Sequence, residues 1–441
     1  MKLSELIGSL SHALDMTEGQ PEGHCVRCCW IGMHLGREIG LEDWQLWELY
    51  YTLLLKDLGC SSNAARICEL YLTDDLSFKR DFKWVNGSLN EVLHFVIGHT
   101  GLNAGLAERF KKLLTVFRHG DEYAQELIQT RCQRGADIAR QLRFGEPVAA
   151  GIHALDEHWD GGGRPDRLAG LSIPVYARIA LLSQVVDVFH TVGDSKAAMK
   201  EARNRSGTWF DPELVSALEK ISTDPTFWAM LKSDGLHQAV FDLEPGQFEV
   251  ALTDDYLDEI AAAFGLIVDA KSPYTQGHSV RVALYTDLVA NELGIPESRR
   301  RWLKRGALLH DVGKLGVSNA VLDKPGKLDQ DEWEAVRLHA RYTGAILGRI
   351  GIFDELARVS SAHHERLDGR GYPLGLKGDE VVLETRIITV ADIFDAITAE
   401  RPYRGAIPVN EALAIMSREL DTAIDRTCFE ALQKVARSAL T

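Results

Sequence analysis

The chain has 441 residues and a formal net charge of −15, with 45% hydrophobic and 26% charged residues. This length suits two cores of roughly 200 residues each, and the acidic balance argues against a nucleic-acid polymer as partner, because phosphate binding requires a basic face. No apolar run reaches the roughly 18 residues of a membrane-spanning helix and the start has no signal-peptide pattern, so we expect a cytoplasmic protein without a membrane partner.

Segments of the first half recur in the second half in the same order. Three pairs of segments share residue types: 23–27 with 277–281, 56–59 with 310–313, and 157–165 with 365–373. The first two pairs are 254 residues apart and the third is 208 apart, so the first copy has 46 extra residues (254 − 208) between its motifs. A further pairing matches Phe210 with Phe429. This order predicts duplication of one folding unit.

Turn-forming residues concentrate between the two copies, at Pro225, Gly235 and Pro245. They predict a first domain over 1–220, a linker over 221–250 and a second domain over 251–441. Apolar residues recur at three- to four-residue spacing in each copy, as at Leu284 and Leu288, and sustained alternation with period two is hard to find. We therefore predict an all-α protein with two helical domains in tandem.

The second copy concentrates histidines and aspartates that suit metal binding. The candidate ligands are His278, His310, Asp311, His339, His363, His364 and Asp392. Imidazole and carboxylate ligands suit iron or manganese, with nickel, cobalt and zinc as alternatives, and one carboxylate can bridge two ions. Seven ligands fit two divalent ions with open positions, an arrangement that activates water and clamps phosphate oxygens. The pattern indicates a metallohydrolase.

Three motifs of the second copy resemble those of the HD-GYP family. They are His310-Asp311, His363-His364-Glu365 and Gly371-Tyr372-Pro373. Members of that family are bacterial phosphodiesterases that linearise and hydrolyse cyclic di-GMP. The resemblance covers about residues 270–405 and implies an HD fold. It also implies one metal held by His278, His310, Asp311 and Asp392. Asp311 would bridge to a second metal, held by His339, His363 and His364.

Substrate contacts are expected beside these ligands. Lys314 lies one turn after His310-Asp311 and would meet a substrate phosphate as a point charge, so we assign it a catalytic role with Asp311. The other expected contacts are Gly369, Gly371, Tyr372, Pro373, Arg401 and Arg404. Some family members bind a third metal through a Glu four residues before the first ligand histidine. That position is Tyr274 here, which favours two ions.

The first copy lacks most of this ligand set. At the same offsets His24 and Asp57 remain, but the other positions hold Lys56, Leu155, Asp156 and Gln184. We predict a degenerate HD-like domain without metals that regulates the active copy, through a homodimer or a signalling partner.

These patterns predict a metal-dependent phosphodiesterase that converts cyclic di-GMP to linear pGpG and then GMP. A 3′,3′-cyclic GMP-AMP phosphodiesterase is the nearest alternative. Two other classes stay open: a non-catalytic nucleotide-binding effector and a di-iron HD oxygenase. The preference between the two cyclic dinucleotides, the native metal and the ligand of the first domain are not legible in the sequence.

Overall fold

The computed structural model describes residues 2–85, 89–102, 104–246, 250–400 and 405–438. Within these ranges the chain forms α-helices joined by loops and short 3₁₀ turns, and it has isolated bridges but no strand. The predicted all-α fold is therefore confirmed. The chain divides into two compact units, residues 1–252 and 253–441.

The first unit contains thirteen helices among the described residues. They are α1 (Leu3–Thr17), α2 (His24–Glu38), α3 (Asp43–Leu55), α4 (Ala64–Tyr71), α5 (Asp75–Phe82), α6 (Leu89–His99), α7 (Leu106–Gln141), α8 (Glu146–His153), α9 (Val175–Val192), α10 (Ser195–Asn204), α11 (Pro212–Ile221), α12 (Pro225–Met230) and α13 (Leu236–Phe241). Two 3₁₀ turns lie at Cys60–Asn63 and Gly170–Ser172.

Helix α9 is the central helix of this unit. It packs against α2, α3, α8 and α10, and its length and hydropathy would allow it to cross a membrane, alone among the described helices. However, 72% of it is buried inside the protein. An all-round apolar helix that is buried in this way is the core helix of a globular unit.

The segment 221–250, for which the sequence predicts a linker, contains α12 and α13, and α13 packs against α1 and α2 within the first unit. The turn-forming residues that suggest a linker act here as helix starts. The Asp224 side chain accepts a hydrogen bond from the backbone N–H of Thr226, and Pro225 occupies the first helical position. Pro and Asp are favoured at helix N-termini as well as in loops, so composition alone does not separate the two.

The second unit contains nine helices among the described residues. They are α14 (Asp254–Asp269), α15 (His278–Glu292), α16 (Glu297–Leu309), α17 (Asn319–Leu322), α18 (Gln330–Leu347), α19 (Asp354–Ser361), α20 (Leu383–Thr398), α21 (Val409–Met416) and α22 (Arg426–Ser438). Its core includes Val282, Val289, Leu303, Ile388, Phe394, Leu413 and Phe429. Helices α15, α16 and α20 thus share one apolar core. Their packing holds in position the helix ends that carry candidate ligands.

The extra residues of the first copy lie between α3 and the carboxyl half of α7. With an offset of 208, the carboxyl half of α7 corresponds to α18, whereas α4, α5, α6 and the amino half of α7 have only the short α17 as counterpart. The two copies therefore differ by an added helical segment rather than by longer loops.

The sequence pairs Phe210 with Phe429, and this pairing is wrong. Equivalent contacts in the two units define the pairing instead: the bridges Ser206–Phe210 and Leu420–Ile424, and the ion pairs Arg178–Asp211 and Arg386–Asp425. Phe210 corresponds to Ile424 because both close the same short bridge. Two buried apolar residues are interchangeable at such a position, so residue identity is a poor guide to register there.

Candidate metal centre

The candidate ligands of the second unit lie at helix ends that converge. His278 is the first residue of α15, and His310 directly follows α16. His363 and His364 follow α19 within three residues, while His339 and Asp392 project from α18 and α20. A helix end allows neighbouring side chains to point at one place, which two adjacent residues inside a helix cannot do.

A glycine sets the distance between two of these elements. A side chain at Gly313 would overlap the backbone carbonyl of His339 and approach the backbone N–H of Thr343 within 2.6 Å. The turn that carries His310 and Asp311 therefore lies directly against α18. Thr343 fixes this contact, since its hydroxyl donates to the carbonyl of His310 at 2.9 Å and accepts from the N–H of Gly313 at 3.0 Å.

Asp311 lies between two groups of ligands, and each of its carboxylate oxygens faces one group. Oδ2 lies 3.4 Å from Nε2 of His278 and 3.3 Å from Nε2 of His310. Oδ1 lies 3.5 Å from Nε2 of His339 and 3.7 Å from Nε2 of His363. This is the arrangement required of a carboxylate that bridges two ions.

Each group is compact enough to hold a metal ion. His278, His310 and Asp392 offer ligand atoms within 4.8 Å of one another, as do His339, His363 and His364. The structure thus brings together all seven side chains that the sequence proposes as ligands.

Backbone carbonyls select the ring nitrogen that is available on three of the histidines. Nδ1 of His310 lies 2.7 Å from the carbonyl of Ala307, and Nδ1 of His363 lies 2.6 Å from that of Ser360. His339 makes the same contact with the carbonyl three residues before it, at 2.5 Å. A carbonyl only accepts, so Nδ1 carries the proton and Nε2 is the nitrogen that points into the centre.

The donor set fits metal ions. Nε2 of His278, Nε2 of His310 and Oδ1 of Asp311 are buried without a hydrogen-bond partner among the described residues. Orphaned polar atoms inside a protein are costly. The two ring nitrogens belong to the group around Oδ2 of Asp311 and Oδ1 faces the other group, so ions bound in the two groups would give all three atoms a partner. Nitrogen and oxygen donors of this kind suit divalent transition metals.

The two ligand groups differ in electrostatics. Burial lowers the pKa of His339 to about 4 and that of His364 to about 3, so both imidazoles are neutral ligands at pH 7. Burial, the largest influence, disfavours the charged form of His310, but the carboxylates of Asp311 and Asp392 together outweigh burial and raise the pKa of His310 to about 9. Binding an ion beside Asp311 would therefore displace a proton.

Three of the predicted substrate contacts lie beside this centre. Lys314 forms an ion pair with Asp311, and its side chain is partly exposed. The Tyr372 ring lies 4.8 Å from the His364 ring, measured between centroids. A side chain at Gly371 would meet backbone atoms of residues 364–366, so this glycine lets the loop fold tightly beside the ligands. Arg401 and Arg404 lie outside the described residues.

Three residues around the centre were missed from the sequence. Asp395 accepts from Nδ1 of His278 at 2.7 Å, and Arg281 binds the same carboxylate at 2.6 and 3.0 Å. Arg337 lies over the Tyr372 ring, 5.4 Å from its centroid. The spacing of Asp392 and Asp395, three residues apart on one helix, is a signal that could have indicated the first of these.

Comparisons with known proteins agree with this geometry. The family model described as HD domain matches residues 102–214 and 264–428. A Vibrio cholerae protein named 3′3′-cGAMP-specific phosphodiesterase 3 is 58% identical over 98% of this chain and 94% of its own length. The chain belongs to the HD-GYP family of HD-domain proteins. The predicted resemblance is thereby confirmed.

Other HD-GYP relatives match in part or as structures. A crystal structure described as a cyclic GMP-AMP specific phosphodiesterase of V. cholerae superposes with a TM-score of 0.69 and 52% identity, covering 99% of this chain and 98% of that chain. The cyclic di-GMP phosphodiesterase response regulator RpfG of Xanthomonas campestris is 40% identical over 34% of this chain and 41% of its own length.

The first unit of this HD-GYP protein keeps the contacts behind the ligands. Nδ1 of His24 lies 2.7 Å from Asp187, and Nε of Arg27 lies 2.6 Å from the same carboxylate. These residues correspond to His278, Asp395 and Arg281 at offsets of 254 and 208. The scaffold of the centre is therefore present in both units.

The ligand positions themselves have changed in the first unit. Five candidate ligands of the second unit have a different residue at the equivalent position of the first unit. The replacements are Lys56 for His310, Arg131 for His339, Leu155 for His363, Asp156 for His364 and Gln184 for Asp392. The equivalence of Arg131 and His339 is shown by the glycines that pack against them. A side chain at Gly59 would overlap the backbone carbonyl of Arg131, and a side chain at the equivalent Gly313 would overlap that of His339. Buried Lys56 pairs with Asp57, and Arg131 pairs with Asp156.

Positive side chains fill the first unit's centre. Nζ of Lys56 and Nζ of Lys83 lie 3.3 and 3.4 Å from the Gln184 amide oxygen, and Lys83 pairs with Glu18 at 3.0 Å. Burial, the largest influence, disfavours the charge on Lys56, but Asp57 together with Cys25 and Cys28 outweighs burial and raises the pKa of Lys56 well above its ordinary value. Some groups here are close enough for a metal, such as Glu18 with Asp57 and Cys60, yet the ammonium groups already neutralise these carboxylates.

Proposed function

We propose that this protein hydrolyses 3′,3′-cyclic GMP-AMP at the centre around Asp311. The observation that carries the proposal is the 58% identity, over nearly the whole of both chains, to a protein named for specificity toward this dinucleotide. The seven-ligand arrangement supports the reaction class, because paired ions and a nearby cation suit phosphodiester hydrolysis.

The sequence motifs favour cyclic di-GMP as the substrate, with 3′,3′-cyclic GMP-AMP as the second candidate. The similar proteins favour 3′,3′-cyclic GMP-AMP over cyclic di-GMP. Proteins named as cyclic di-GMP phosphodiesterases match about a third to under a half of this chain, as RpfG does. The relative that matches 98% of it is named for cyclic GMP-AMP. Cyclic di-GMP is therefore our second candidate substrate. Location in the cytoplasm stays a prediction from the sequence.

We further propose that two ions bind on either side of Asp311, which would supply Lewis-acid chemistry and an activated water. His278, His310 and Asp392 would hold one ion, and His339, His363 and His364 the other. Iron or manganese is our first choice, and nickel, cobalt or zinc the alternatives. Asp311 would contribute to both sites, because each of its oxygens faces one group.

The remaining residues would bind and orient the dinucleotide. Lys314 is paired with Asp311, and it could bind a phosphate oxygen of the substrate when the Asp311 carboxylate binds metal ions instead. Tyr372 offers a ring against which a purine can stack. Glu365 holds the loop after Tyr372, since its carboxylate accepts from the N–H groups of Leu374 and Leu376 at 2.6 and 2.9 Å.

Two other classes of protein, a binding-only effector and a di-iron oxygenase, fit the arrangement of the candidate ligands less well. A binding-only effector has no use for seven converging ligands and orphaned ring nitrogens. A di-iron oxygenase would use similar ligands, but the relatives named for a reaction are phosphodiesterases.

The test is chromatography of digests of the two dinucleotides by the purified full-length protein, loaded with iron or manganese. We expect 3′,3′-cyclic GMP-AMP to be cleaved at least about 10-fold faster than cyclic di-GMP in kcat/KM, a difference of about 1.4 kcal/mol in transition-state binding. Asp311→Ala is the matched inactive control, because loss of the bridge dismantles both metal positions. Faster cleavage of cyclic di-GMP would reverse our substrate order, and oxygen consumption without hydrolysis would overturn the reaction class.

A further inference from the structure

The added segment of the first unit builds a small core of its own. This core is formed by Ile67, Leu70, Tyr71, Phe78, Val85, Phe95, Val96 and Val116, with Leu113 and Leu127 packed against it. Apart from Val85, which lies in the loop after α5, these residues come from α4, α5, α6 and α7, and the described residues of the second unit form no comparable set of helices at this place. The segment thus folds as an addition that the HD scaffold itself does not require.

The outer side of this addition carries large apolar side chains that are exposed. On α7 they are Leu106, Phe110, Leu114 and Phe117, with exposures of 85, 65, 50 and 47%. Their spacing of three and four residues places them within an arc of about 80° on the helix, along about 16 Å of its length. Leu93, Ile97 and Leu102 add exposed apolar surface from α6 and the loop after it. We call these seven residues the apolar stripe.

Basic residues flank the apolar stripe on α7. Between residues 106 and 119 the helix has four Arg or Lys side chains and one Glu, in a chain whose net charge is −15. Lys111 and Arg118 are exposed and lie on one edge of the stripe, about 40–60° from Leu114. Arg109 lies on the other edge, where its guanidinium donates to the carbonyls of Thr100 and Ile97.

We propose that the apolar stripe docks onto an anionic phospholipid surface. An amphipathic helix with Phe and Leu on one face and Lys or Arg beside it lies flat in the membrane interface, with its apolar side chains among the acyl chains and its cations at the phosphates. The stripe has this composition. The exposed Lys111 and Arg118 sit where long side chains can reach the headgroups while the leucines and phenylalanines are inserted.

Charge distinguishes a lipid surface from a second copy of this chain. A two-fold antiparallel pairing centred on the stripe would place Lys111 of one copy near Lys111 of the other, and both helices would bring net positive charge to the contact. Like charges across an interface disfavour the pairing. Anionic headgroups instead complement the same residues. The proposed site is an interfacial helix rather than a membrane-spanning one, and the proposal revises the sequence-based expectation of no membrane partner.

The proposal is tested by co-sedimentation of the full-length protein with vesicles of phosphatidylcholine alone and with vesicles in which about 30% of the lipid is phosphatidylglycerol, which supplies the anionic headgroups. We expect binding to the anionic vesicles that weakens as salt rises. Phe110→Ser/Leu114→Ser and Lys111→Glu/Arg118→Glu should each weaken binding about 10-fold or more. Leu171→Ser, which removes another exposed leucine of the first unit, is the matched control and should bind as the wild type does.

Dinucleotide hydrolysis in solution and the melting temperature check that these exposed substitutions leave the fold intact, and both should stay at wild-type values. Three outcomes overturn the proposal: no binding to anionic vesicles, equal binding to neutral ones, or a dimer in light scattering that Phe110→Ser/Leu114→Ser converts to monomer without any effect of lipid.

Discussion

Nδ1 of His278 lies 2.7 Å from the carboxylate of Asp395, and the first unit repeats this contact at the same distance between His24 and Asp187. The pair persists where most ligands have been replaced. It therefore contributes to the packing of both units, and only in the second unit does it also orient a candidate ligand. Comparing the two pairs separates these roles within one chain.

We expect Asp395→Asn to lower metal affinity about 10- to 100-fold, because the amide no longer fixes the tautomer and orientation of the His278 ring. Metal titration of the full-length apoprotein measures this, with activity at saturating metal as a second readout. Asp187→Asn is the matched control: it should lower the melting temperature without changing metal affinity. Equal loss of metal affinity in the two variants would show that the contact acts only through global stability.

The first unit should bind no metal, since Lys56 and Arg131 place fixed positive charges at two ligand positions. Elemental analysis of full-length Asp311→Ala should therefore find close to no transition metal per chain, whereas the wild type should hold about two ions. One ion that remains in Asp311→Ala and is removed by a further Asp57→Ala would contradict this.

Lys56 should stabilise the first unit through its ion pair with Asp57. Both side chains are buried, so Lys56→Met leaves an uncompensated carboxylate and should cost about 3 kcal/mol of unfolding free energy. Lys56→Met/Asp57→Asn, which removes both charges, should be more stable than Lys56→Met alone. Denaturant unfolding of the full-length chain measures the difference. Strict additivity of the two substitutions would count against a direct pair.

The duplication and the clustering of the seven candidate ligands in the second unit could be predicted because both rest on polar residues in fixed spacing, such as His310-Asp311 and His363-His364. Chemistry restricts these positions to few residue types. The equivalence of Phe210 and Ile424 could not be predicted, because any buried apolar residue satisfies that site and only the backbone bridge identifies it.

Arg131 could not be placed from the sequence for a different reason. The added residues lie between Gly59 and Arg131, so the offset changes from 254 to 208 somewhere in a stretch without shared motifs. The structure resolves this because Gly59 lies against the carbonyl of Arg131 as Gly313 lies against that of His339. Contacts behind the ligands, such as Arg281 with Asp395, join residues more than a hundred positions apart and leave no local pattern.

Arg337 should contribute to substrate binding at the mouth of the centre. Its guanidinium lies over the Tyr372 ring, whose other neighbours are His364 and His339. We expect Arg337→Ala to raise KM about 10-fold with kcat within about 2-fold, because a cation near the phosphates and a cation–π contact are both lost. Arg337→Lys should recover part of the loss, and Arg358→Ala, an exposed arginine on α19, is the control. A fall in kcat with unchanged KM would assign Arg337 to the chemical step instead.

Tyr274 stands where a third metal would need a carboxylate, and it follows Ser272 in the loop before α15, where its N–H donates to the Ser272 hydroxyl at 3.2 Å. A phenol lacks the charge of a carboxylate, so we expect saturation at about two ions. If both ions bind the same phosphodiester, the first cleavage, from cyclic to linear dinucleotide, should be faster than the second, from linear dinucleotide to mononucleotide. Linear dinucleotide should then accumulate before mononucleotide appears. Time-resolved chromatography with elemental analysis tests both points. Tyr274→Glu should add a third ion and shorten the lifetime of the linear product, whereas Tyr274→Phe should behave as the wild type. Three ions in the wild type, or mononucleotide without a linear intermediate, would show this account to be wrong.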